Sequence, residues 1–257
     1  MSEFTPTPER QNQILSLLTK QGRLSVSEIV EQFSISLATA RRDLESLAEQ
    51  GKLQRVHGGA ITIEQAPPEL PILQRESEQT NEKQRIGQAA AALVQDGETV
   101  FLGSGTTVLE AARALRGRHS LAVITNSLAV VNALAGADGV SVICLGGMLR
   151  NSELSFIGHI TELAMAELRA DKILIGTRAI SIEHGLTHDY LAETVTDRAV
   201  LKAGKEIIVL ADHTKFGRAS AVLLAPLEQV HTIVTDGQTS NEFIKAVRGR
   251  GIKVIKA

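Results

Sequence analysis

The sequence predicts two regions of different fold class: a winged helix-turn-helix of the α+β class, then an α/β domain with a mostly parallel, doubly wound sheet. Three observations lead to this prediction. Helical periodicity and then a hairpin signal occupy residues 6–63. From residue 99 onwards, seven apolar runs alternate with amphipathic helical stretches. Between them lies APPELP, which holds three of the six prolines and interrupts helix and interior strand alike.

These patterns predict the domain bounds. We expect a first domain over residues 6–63, with a helix-turn-helix over residues 24–43. A linker is expected over residues 64–81, and the α/β domain over residues 82–257.

Composition indicates a packed globular protein. Of the 257 residues, 43% are hydrophobic and 22% are charged. No run of about 18 apolar residues occurs, and the N-terminus lacks the apolar stretch of a signal peptide, so we expect a cytoplasmic protein without a membrane partner.

The single cysteine, Cys144, lies in an apolar run and is expected to be a buried, inert thiol. Since the net charge is −2, any DNA contact must come from a local basic patch.

Local capping signals place three helices in the first domain. Pro8 suits a helix start, because proline is favoured at the first helical position. Ser25 and Glu28 form a capping-box pattern at the start of a second helix. Ser36 can cap a third helix over residues 37–50.

The third helix is the candidate element for the major groove of DNA. Leu37, Ala40, Leu44 and Leu47 are spaced to face the core, which leaves a polar face outside. In a helix-turn-helix, the N-terminal residues of this helix lie at base edges. The candidate DNA contacts at this end are Ser36, Ala38, Thr39, Arg41 and Arg42.

A hairpin signal follows the third helix. In KLQRVHGGAITI, residues 52–63, two β-type stretches flank Gly58 and Gly59. A hairpin in this position is a wing, and it places Arg55 and His57 to contact the sugar-phosphate backbone. The alternative is an ordinary three-helix bundle with a solvated arginine pair, since acidic residues nearly balance the local charge. The required order of caps, turn, arginines and hairpin favours DNA binding.

The apolar runs of the second region predict strands buried on both faces of a parallel sheet. In such sheets ligands bind beyond the carboxyl ends of the strands. The predicted strands are TVFL (99–102), LAVIT (121–125), VSVICL (140–145), KILIG (172–176), EIIVLA (206–211), TIVT (232–235) and KVIK (253–256).

The loop GSGTT after the first of these strands is a candidate anion site. Its members are Gly103, Ser104, Gly105, Thr106 and Thr107. The glycines allow backbone N–H groups to turn toward an anion, and the hydroxyls lie where a helix begins and its dipole favours negative charge. A tight strand-to-helix turn with a capping threonine explains the loop equally well. The loop is neither a dinucleotide fingerprint nor a P-loop.

Three further loops also follow predicted strands and are expected at the same end of the sheet. They are TNS with Asn126 and Ser127, GGMLR with Gly146, Gly147 and Arg150, and DHTKFGR with Lys215. Arg150 and Lys215 can supply cations for a phosphate. Ordinary solvent-exposed loop charges are the alternative, but convergence at the strand ends favours a binding site.

The segment ERQNQILSLLTKQGRLSVSEIVEQFSISLATARRDLESLAEQGKLQRVHGGA closely resembles the N-terminal domain of the DeoR family of bacterial transcription regulators. The pattern SxxTxRRDLxxLxxxGxLxRxHGGA, typical of that family, begins here at Ser36. The resemblance implies that Asp43 supports the two arginines rather than contacting DNA.

The resemblance continues through FLGSGTT, VITNS, LGGMLR, HGLTHDYLAE and LADHTKFGR, which resemble successive landmarks of the family's sensor domain. The fold of that domain is similar to ribose-5-phosphate isomerase. The resemblance implies a DNA-binding repressor of carbohydrate-metabolism genes that is controlled by a phosphorylated sugar or polyol. Asn126, Asp189 and Glu193 are then candidates for hydroxyl contacts. Gly103 departs from the family pattern, which has Asp there, so the effector can differ from that of typical members.

An isomerase with an accessory DNA-binding domain is the alternative function. Glu193 resembles the position of the isomerase's catalytic base, and Lys215 resembles its phosphate-contacting lysine. However, the isomerase's acidic loop is replaced by GTRAIS, which has Arg178 and no acid. We therefore predict no enzyme activity and no catalytic residue. A purely architectural DNA-binding protein is disfavoured by the large α/β domain.

Metal and cofactor binding are not expected. The spacing of His184, His188 and His213, with Asp189 and Asp212, matches no standard metal site. The expected partners are double-stranded operator DNA, the phosphorylated effector and further copies of this chain. A homo-oligomer, a dimer or larger, is expected because helix-turn-helix proteins normally read two-fold sites.

Overall fold

The computed structural model describes residues 7–21, 23–49, 52–56, 58–61, 64–65 and 69–257. The chain divides into two compact units, Met1–Gln65 and Ala66–Ala257. Residues 69–81, which the sequence assigns to a linker, lie in the second unit, where Ile72 and Arg75 are buried. The functional domain bounds remain a prediction.

Among its described residues, the first unit contains three helices and a small antiparallel sheet. The sheet has the order β1-β3-β2, and the core contains Ile14, Leu18, Ile29 and Leu44. The elements are α1 (Thr7–Gln21), β1 (Arg23–Ser25), α2 (Val26–Phe33), α3 (Leu37–Glu49), β2 (Gln54–Val56), β3 (Gly59–Ile61) and β4 (Glu64–Gln65).

The capping box at the start of α2 is confirmed. Glu28 N–H donates to Ser25 Oγ over 3.1 Å, and Ser25 N–H donates to Glu28 Oε2 over 2.6 Å. The turn of the wing hairpin lies one residue earlier in the chain than predicted. Val56 pairs with Gly59, so Gly59 is the first residue of β3 rather than part of the turn. A Cβ on Gly59 would collide with the Leu24 carbonyl oxygen, which explains why glycine stands there.

The second unit contains seven α-helices among its described residues. They are α4 (Ile72–Arg75), α5 (Thr80–Ala91), α6 (Thr106–Leu115), α7 (Leu128–Leu134), α8 (His159–Ala166), α9 (Leu191–Leu201) and α10 (Asn241–Arg248). Short 3₁₀ turns cover His213–Lys215 and Leu227–Gln229.

A seven-stranded parallel sheet forms the centre of this unit, in the order β17-β16-β13-β10-β5-β6-β7. All seven predicted strands are found, within two residues at each end. The strands of the unit are β5 (Thr99–Leu102), β6 (Leu121–Thr125), β7 (Val140–Cys144), β8 (Met148–Arg150), β9 (Ser155–Ile157), β10 (Ala170–Ile175), β11 (Ala179–Ser181), β12 (Gly185–His188), β13 (Gly204–Leu210), β14 (Arg218–Ala219), β15 (Val222–Ala225), β16 (Thr232–Thr235) and β17 (Lys253–Lys256).

Alternate residues of the central strands enter two separate cores. Phe101, Ile173 and Ile207 belong to one core, whereas Val100 and Leu174 belong to the other. Both faces of the sheet are therefore covered, as the continuous apolar runs predict. The sequence did not predict two smaller antiparallel elements: the sheet β11-β12-β15 and the hairpin β8-β9.

The edge position of β7 corrects the expectation for Cys144. Its side chain is exposed rather than buried, because β7 is the terminal strand of the sheet and Ile143 beside it is also 42% exposed. Partial burial still raises the pKa of the Cys144 thiol. Over the described part of the chain, no helix is long and apolar enough to cross a bilayer.

The strand order creates a switch point between β5 and β10. From β5 the chain proceeds to β6 and β7 on one side, and β10, β13, β16 and β17 then extend the sheet on the other side. Loops after β5 and β10 therefore diverge at their carboxyl ends and leave a crevice, which is the usual place for a ligand in such sheets.

Candidate functional site

The N-terminal end of α3 presents the predicted DNA-contacting residues to solvent. Ser36 caps the helix, with its Oγ accepting from Thr39 N–H over 3.1 Å. Ala38, Arg41 and Arg42 are exposed, and Thr39 is half-buried. This end of the helix is therefore accessible to a nucleic acid.

The wing is tied to the same helix. Arg55, on β2, donates from Nη1 to the Arg41 carbonyl oxygen over 3.2 Å. This bond brings a wing cation next to the arginine pair of α3. His57, predicted to contact the sugar-phosphate backbone, lies outside the described residues.

Two expectations for α3 are corrected. Asp43 does not support Arg41 or Arg42; it is buried and accepts from Arg10 of α1, with Nε to Oδ2 at 2.6 Å and Nη2 to Oδ1 at 3.1 Å. The hydrogen bond to Asp43 raises the pKa of Arg10. Leu37 is 48% exposed rather than in the core, because it is the first residue of the helix.

A cavity in the second unit lies at the carboxyl ends of β5, β10 and β13. It therefore occupies the switch point of the sheet. All five residues of the GSGTT loop line it, as do Glu193 and Lys215. Further charged or titratable residues that line it are Glu69, Arg75, Glu78, Lys83, Glu153, Arg178, His188, Asp197 and Asp212.

Helix α6 points its N-terminus into this cavity. Gly105 precedes the helix with φ 111°, a conformation that favours glycine, and it offers no capping side chain. The first N–H groups of a helix have no partner within the helix. Those of α6 are therefore available to an anion, and the helix dipole favours negative charge at this point.

Four cationic side chains surround the cavity. Lys83 of α5 is buried, and its Nζ donates to the Arg75 carbonyl oxygen over 2.6 Å. Burial lowers the pKa of both Lys83 and Lys215. Lys215 and Arg75 lower the pKa of Lys83 further, and Arg178 and Arg75 lower that of Lys215. Asp212 acts in the opposite direction on both lysines. The cavity thus brings these four cations together with six carboxyl groups.

Two of the carboxyl groups resist ionisation. Burial outweighs the attraction of Arg75 and raises the pKa of Glu153 to about 7. Burial, and then repulsion by Glu193, raise the pKa of Asp197 well above its ordinary value. Glu193 itself accepts from Ser155 Oγ over 2.8 Å and pairs with Arg150. Near neutral pH, Glu153 and Asp197 are therefore less ionised than ordinary carboxyl groups, and they oppose the cations of the cavity less.

Several predicted loop residues do not line the cavity. Asn126 is buried and donates from Nδ2 to the Phe156 carbonyl oxygen over 3.0 Å. Ser127 caps α7, its Oγ accepting from Val130 N–H. Both follow β6, on the far side of β5 from β10, so the strand order separates them from the cavity.

The remaining predicted residues reach the cavity indirectly or pack elsewhere. Arg150 lies over the Tyr190 ring at 4.5 Å and pairs with the cavity residue Glu193. Asp189 lies 3.7 Å from Arg178 Nε. The Gly146 carbonyl oxygen accepts from Thr161 Oγ1 over 2.7 Å, and a Cβ on Gly147 would collide with that hydroxyl.

The cavity residues of the segment 69–83 were not predicted from the sequence. A signal existed for Lys83, which stands at helical spacing with Ile86, Gly87 and Ala90 on the buried face of α5. A lysine on a buried helix face is unusual unless it has a partner. Arg75 and Glu69 gave no such signal, because the surrounding prolines pointed to a linker.

The histidines are not gathered into one site. His213 Nδ1 lies 3.1 Å from Asp236 Oδ2, and His188 lines the cavity, where burial lowers its pKa. Within the described ranges, no group of three or more His, Cys, Asp or Glu residues is arranged to hold a metal ion.

Two family models and several related proteins match almost the whole chain. The family model "DeoR-like helix-turn-helix domain" matches residues 10–66, and "DeoR C terminal sensor domain" matches residues 78–237. The chain is 36% identical to the transcriptional repressor AccR of Agrobacterium fabrum, over 92% of each chain. It is 35% identical to the glycerol-3-phosphate regulon repressor of Escherichia coli, over 89% of this chain and 90% of that protein.

Among solved structures, ribose 5-phosphate isomerase A from Neisseria gonorrhoeae aligns with 52% of this chain and 52% of its own. The TM-score is 0.39 and the sequence identity is 17%.

Proposed function

The chain belongs to the DeoR family of transcriptional regulators, and from this premise we propose that it represses carbohydrate-metabolism genes until a phosphorylated sugar or polyol releases it. It is a regulator and not an enzyme, since relatives that match it over about nine-tenths of its length are transcriptional repressors. One of them is named for a glycerol-3-phosphate regulon, which agrees with a phosphorylated effector here.

The cavity at the switch point is the observation that carries the proposal. The open N-terminus of α6, Lys83 and Lys215 meet there, and together they provide N–H donors, a favourable dipole and two cations. A phosphate group is the ligand that uses all three. Glu193 lines the same cavity and is proposed to accept hydrogen bonds from effector hydroxyls.

The loop residues outside the cavity have supporting roles in this proposal. Arg150 fixes the Glu193 carboxylate, and Asn126 and Ser127 fix the loop after β6. Asp189 lies beside Arg178. We therefore place the direct effector contacts in the GSGTT loop, Lys83, Glu193 and Lys215.

The first unit is proposed to bind operator DNA. The exposed end of α3 enters the major groove, where Arg41 and Arg42 lie at base edges or phosphates, and Arg55 contacts the backbone from the wing. A dimer or larger assembly is proposed, because two copies place two such helices on a two-fold operator.

The proposal is tested by combining calorimetry with DNA-binding measurements. A panel of phosphorylated sugars and polyols is titrated into the full chain, and the best binder is then added to the chain on fluorescent operator DNA. Lys215→Ala is expected to abolish the effector response and retain operator binding. Lys202→Ala, at an exposed position of α9's C-terminal end, is the matched control and should respond like the wild type.

Two outcomes would contradict the proposal. One is that no phosphorylated compound of the panel binds. The other is that Lys215→Ala responds like the wild type. Product formation detected by NMR would also contradict it, because a sensor returns its effector unchanged.

A further inference from the structure

Arg178 is a buried guanidinium without a close partner for one of its nitrogens. Its side chain is 6% exposed, and it stands after β10 in the wall of the cavity. Two carboxylates lie beyond hydrogen-bond distance, with Asp189 Oδ2 at 3.7 Å from Nε and Glu69 Oε1 at 3.9 Å from Nη1. Over the described part of the chain, Nε has no hydrogen-bond partner. A buried charge is costly unless it is paired and hydrogen-bonded, so this geometry suits the binding of an anionic group from a ligand.

Arg75 faces the same carboxylate from the other side. Glu69 Oε1 lies 2.9 Å from Arg75 Nη1, and both side chains are 10% exposed. Arg75 Nε also donates to the Leu70 carbonyl oxygen over 2.8 Å, and Nη2 donates to Glu153. Arg75 is therefore fixed, and one oxygen of Glu69 lies between two guanidinium groups.

We propose that Arg75 and Arg178 form a second anion subsite of the cavity, which the Glu69 carboxylate fills in the ligand-free protein. The effector then carries a second anionic group, a carboxylate or a second phosphate, besides the phosphate held at the N-terminus of α6. This inference rests on the proposed function, because it concerns the same cavity.

The charges around the subsite agree with an effector that carries a second anionic group. Lys215 is close enough for Arg178 and Arg75 to lower its pKa and for Glu69 to raise it, so the subsite and the lysine share one small space. A planar guanidinium donates two parallel, charge-assisted hydrogen bonds to the oxygens of a carboxylate or phosphate, whereas its hydrogen bond to a neutral hydroxyl oxygen is single and weaker. The two arginines therefore favour an anionic group over a hydroxyl.

Exchange of anions also supplies a switch. When the effector's second anionic group takes the place of Glu69, that carboxylate loses its contact with Arg75. Glu69 lies four residues after Gln65, the last residue of the first unit, so the exchange takes place close in sequence to the boundary between the two units. An effector acts as a switch only if it binds two states of the protein unequally, and the position of Glu69 distinguishes two states.

The test compares matched ligands on the full chain by calorimetry. The pairs are 6-phosphogluconate with glucose 6-phosphate, and 3-phosphoglycerate with glycerol 3-phosphate; within each pair, one compound carries an additional carboxylate. The measured quantity is the ratio of the two Kd values within a pair. Glu69→Gln removes the resident anion with little change in shape, and Glu76→Gln changes an exposed glutamate of the same segment as the control.

Glu69→Gln is expected to increase the preference for the carboxylate-bearing compound about tenfold, the size of one charge-assisted contact. Glu76→Gln should leave the ratio as in the wild type. Arg178→Gln should bring the ratio of the two Kd values close to one, because the additional carboxylate then gains no contact. Near-ultraviolet circular dichroism checks that this variant is folded.

Three results would count against the subsite. If the phosphate-only compounds bind and Glu69→Gln leaves the ratio unchanged, the subsite is wrong although the proposed function stands. The same conclusion follows if a folded Arg178→Gln variant keeps the full preference for the carboxylate. If none of the four compounds binds to any variant, the proposed phosphate site fails, and the inference fails with it.

Discussion

Asp43 of α3 and Arg10 of α1 form a buried ion pair held by two hydrogen bonds, at 2.6 Å and 3.1 Å. The pair joins the helix that carries the candidate DNA contacts to the first helix of the chain. Both side chains are at most 5% exposed, so water cannot replace either partner. The orientation of α3 relative to α1 therefore depends on a buried charge pair.

Asp43→Ala is expected to destabilise the first unit by about 3–5 kcal/mol, because it leaves the Arg10 guanidinium buried without its carboxylate. Hydrogen exchange of peptides from residues 7–49 in the full chain measures the loss. Glu45→Ala, at an exposed position of the same helix, should change the free energy of unfolding by less than about 0.5 kcal/mol. Equal protection in the two variants would show that the pair contributes nothing to stability.

Arg41→Ala and Arg42→Ala should each weaken operator binding by about 1–3 kcal/mol if the arginine contacts a guanine with two hydrogen bonds. The selective loss arises because such a bond recognises one base, whereas a phosphate contact weakens all sequences alike. Fluorescence anisotropy with operator and scrambled DNA separates the two cases. Arg113→Ala, in the second unit, is the control. The predicted interface is wrong if the double variant binds both DNAs like the wild type.

The operator is expected to contain two related half-sites separated by about 10 base pairs or a multiple of it, because a two-fold dimer places its recognition helices one turn apart. Deletion of residues 85–257 should weaken binding severely, since a single small domain neutralises few phosphates. Footprinting locates the half-sites, and analytical ultracentrifugation gives the stoichiometry. A monomer that protects one half-site with full affinity would rule out this arrangement.

Glu153 should make the stability of the second unit depend on pH. Its pKa is about 7 in the folded protein against an ordinary value of 4.5, so the folded state holds the proton more tightly than the unfolded state. The corresponding stability is fully present below about pH 4.5 and is lost as the pH rises through 7, by up to about 3 kcal/mol. Asp197 acts in the same direction.

The Glu153→Gln variant should lose the part of this slope that Glu153 contributes, since an amide does not ionise, and should keep the part that Asp197 contributes. Hydrogen exchange of the second unit between pH 5.5 and 8 measures the change, after correction for the intrinsic exchange rate. Glu167→Gln, at an exposed position, should keep the wild-type slope. A wild-type slope in Glu153→Gln would assign the dependence to other groups.

Effector affinity should fall when the pH rises from 7 to 8.5. Ionisation of Glu153 adds a negative charge to the cavity wall, whereas a phosphate monoester, with a second pKa of about 6, is already a dianion over this range. Calorimetry with the best phosphorylated binder measures the fall, and Glu153→Gln should reduce it. An affinity that stays constant or rises between these pH values would contradict the charge assignment.

The sequence by itself determined the features that depend on near neighbours. The capping box links Ser25 to a residue three positions along, and the strands of the large sheet are continuous apolar runs. The helix α3 followed from the same local signals, and so did the helix start after GSGTT, whose binding of an anion stays a prediction. Each of these features depends on residues a few positions apart, so its physical cause is visible in a short window of sequence.

Only the tertiary structure decided which loops form the cavity. The sequence placed four loops at one end of the sheet, but the insertion of β10 next to β5 brought Arg178 to GSGTT and left Asn126 on the other side. Arg75 and Glu153 are 78 positions apart, and no local sequence pattern predicts their pairing. A buried charge is satisfied by whichever partner the packed strands and helices bring near, and that choice is fixed by strand order rather than by sequence spacing.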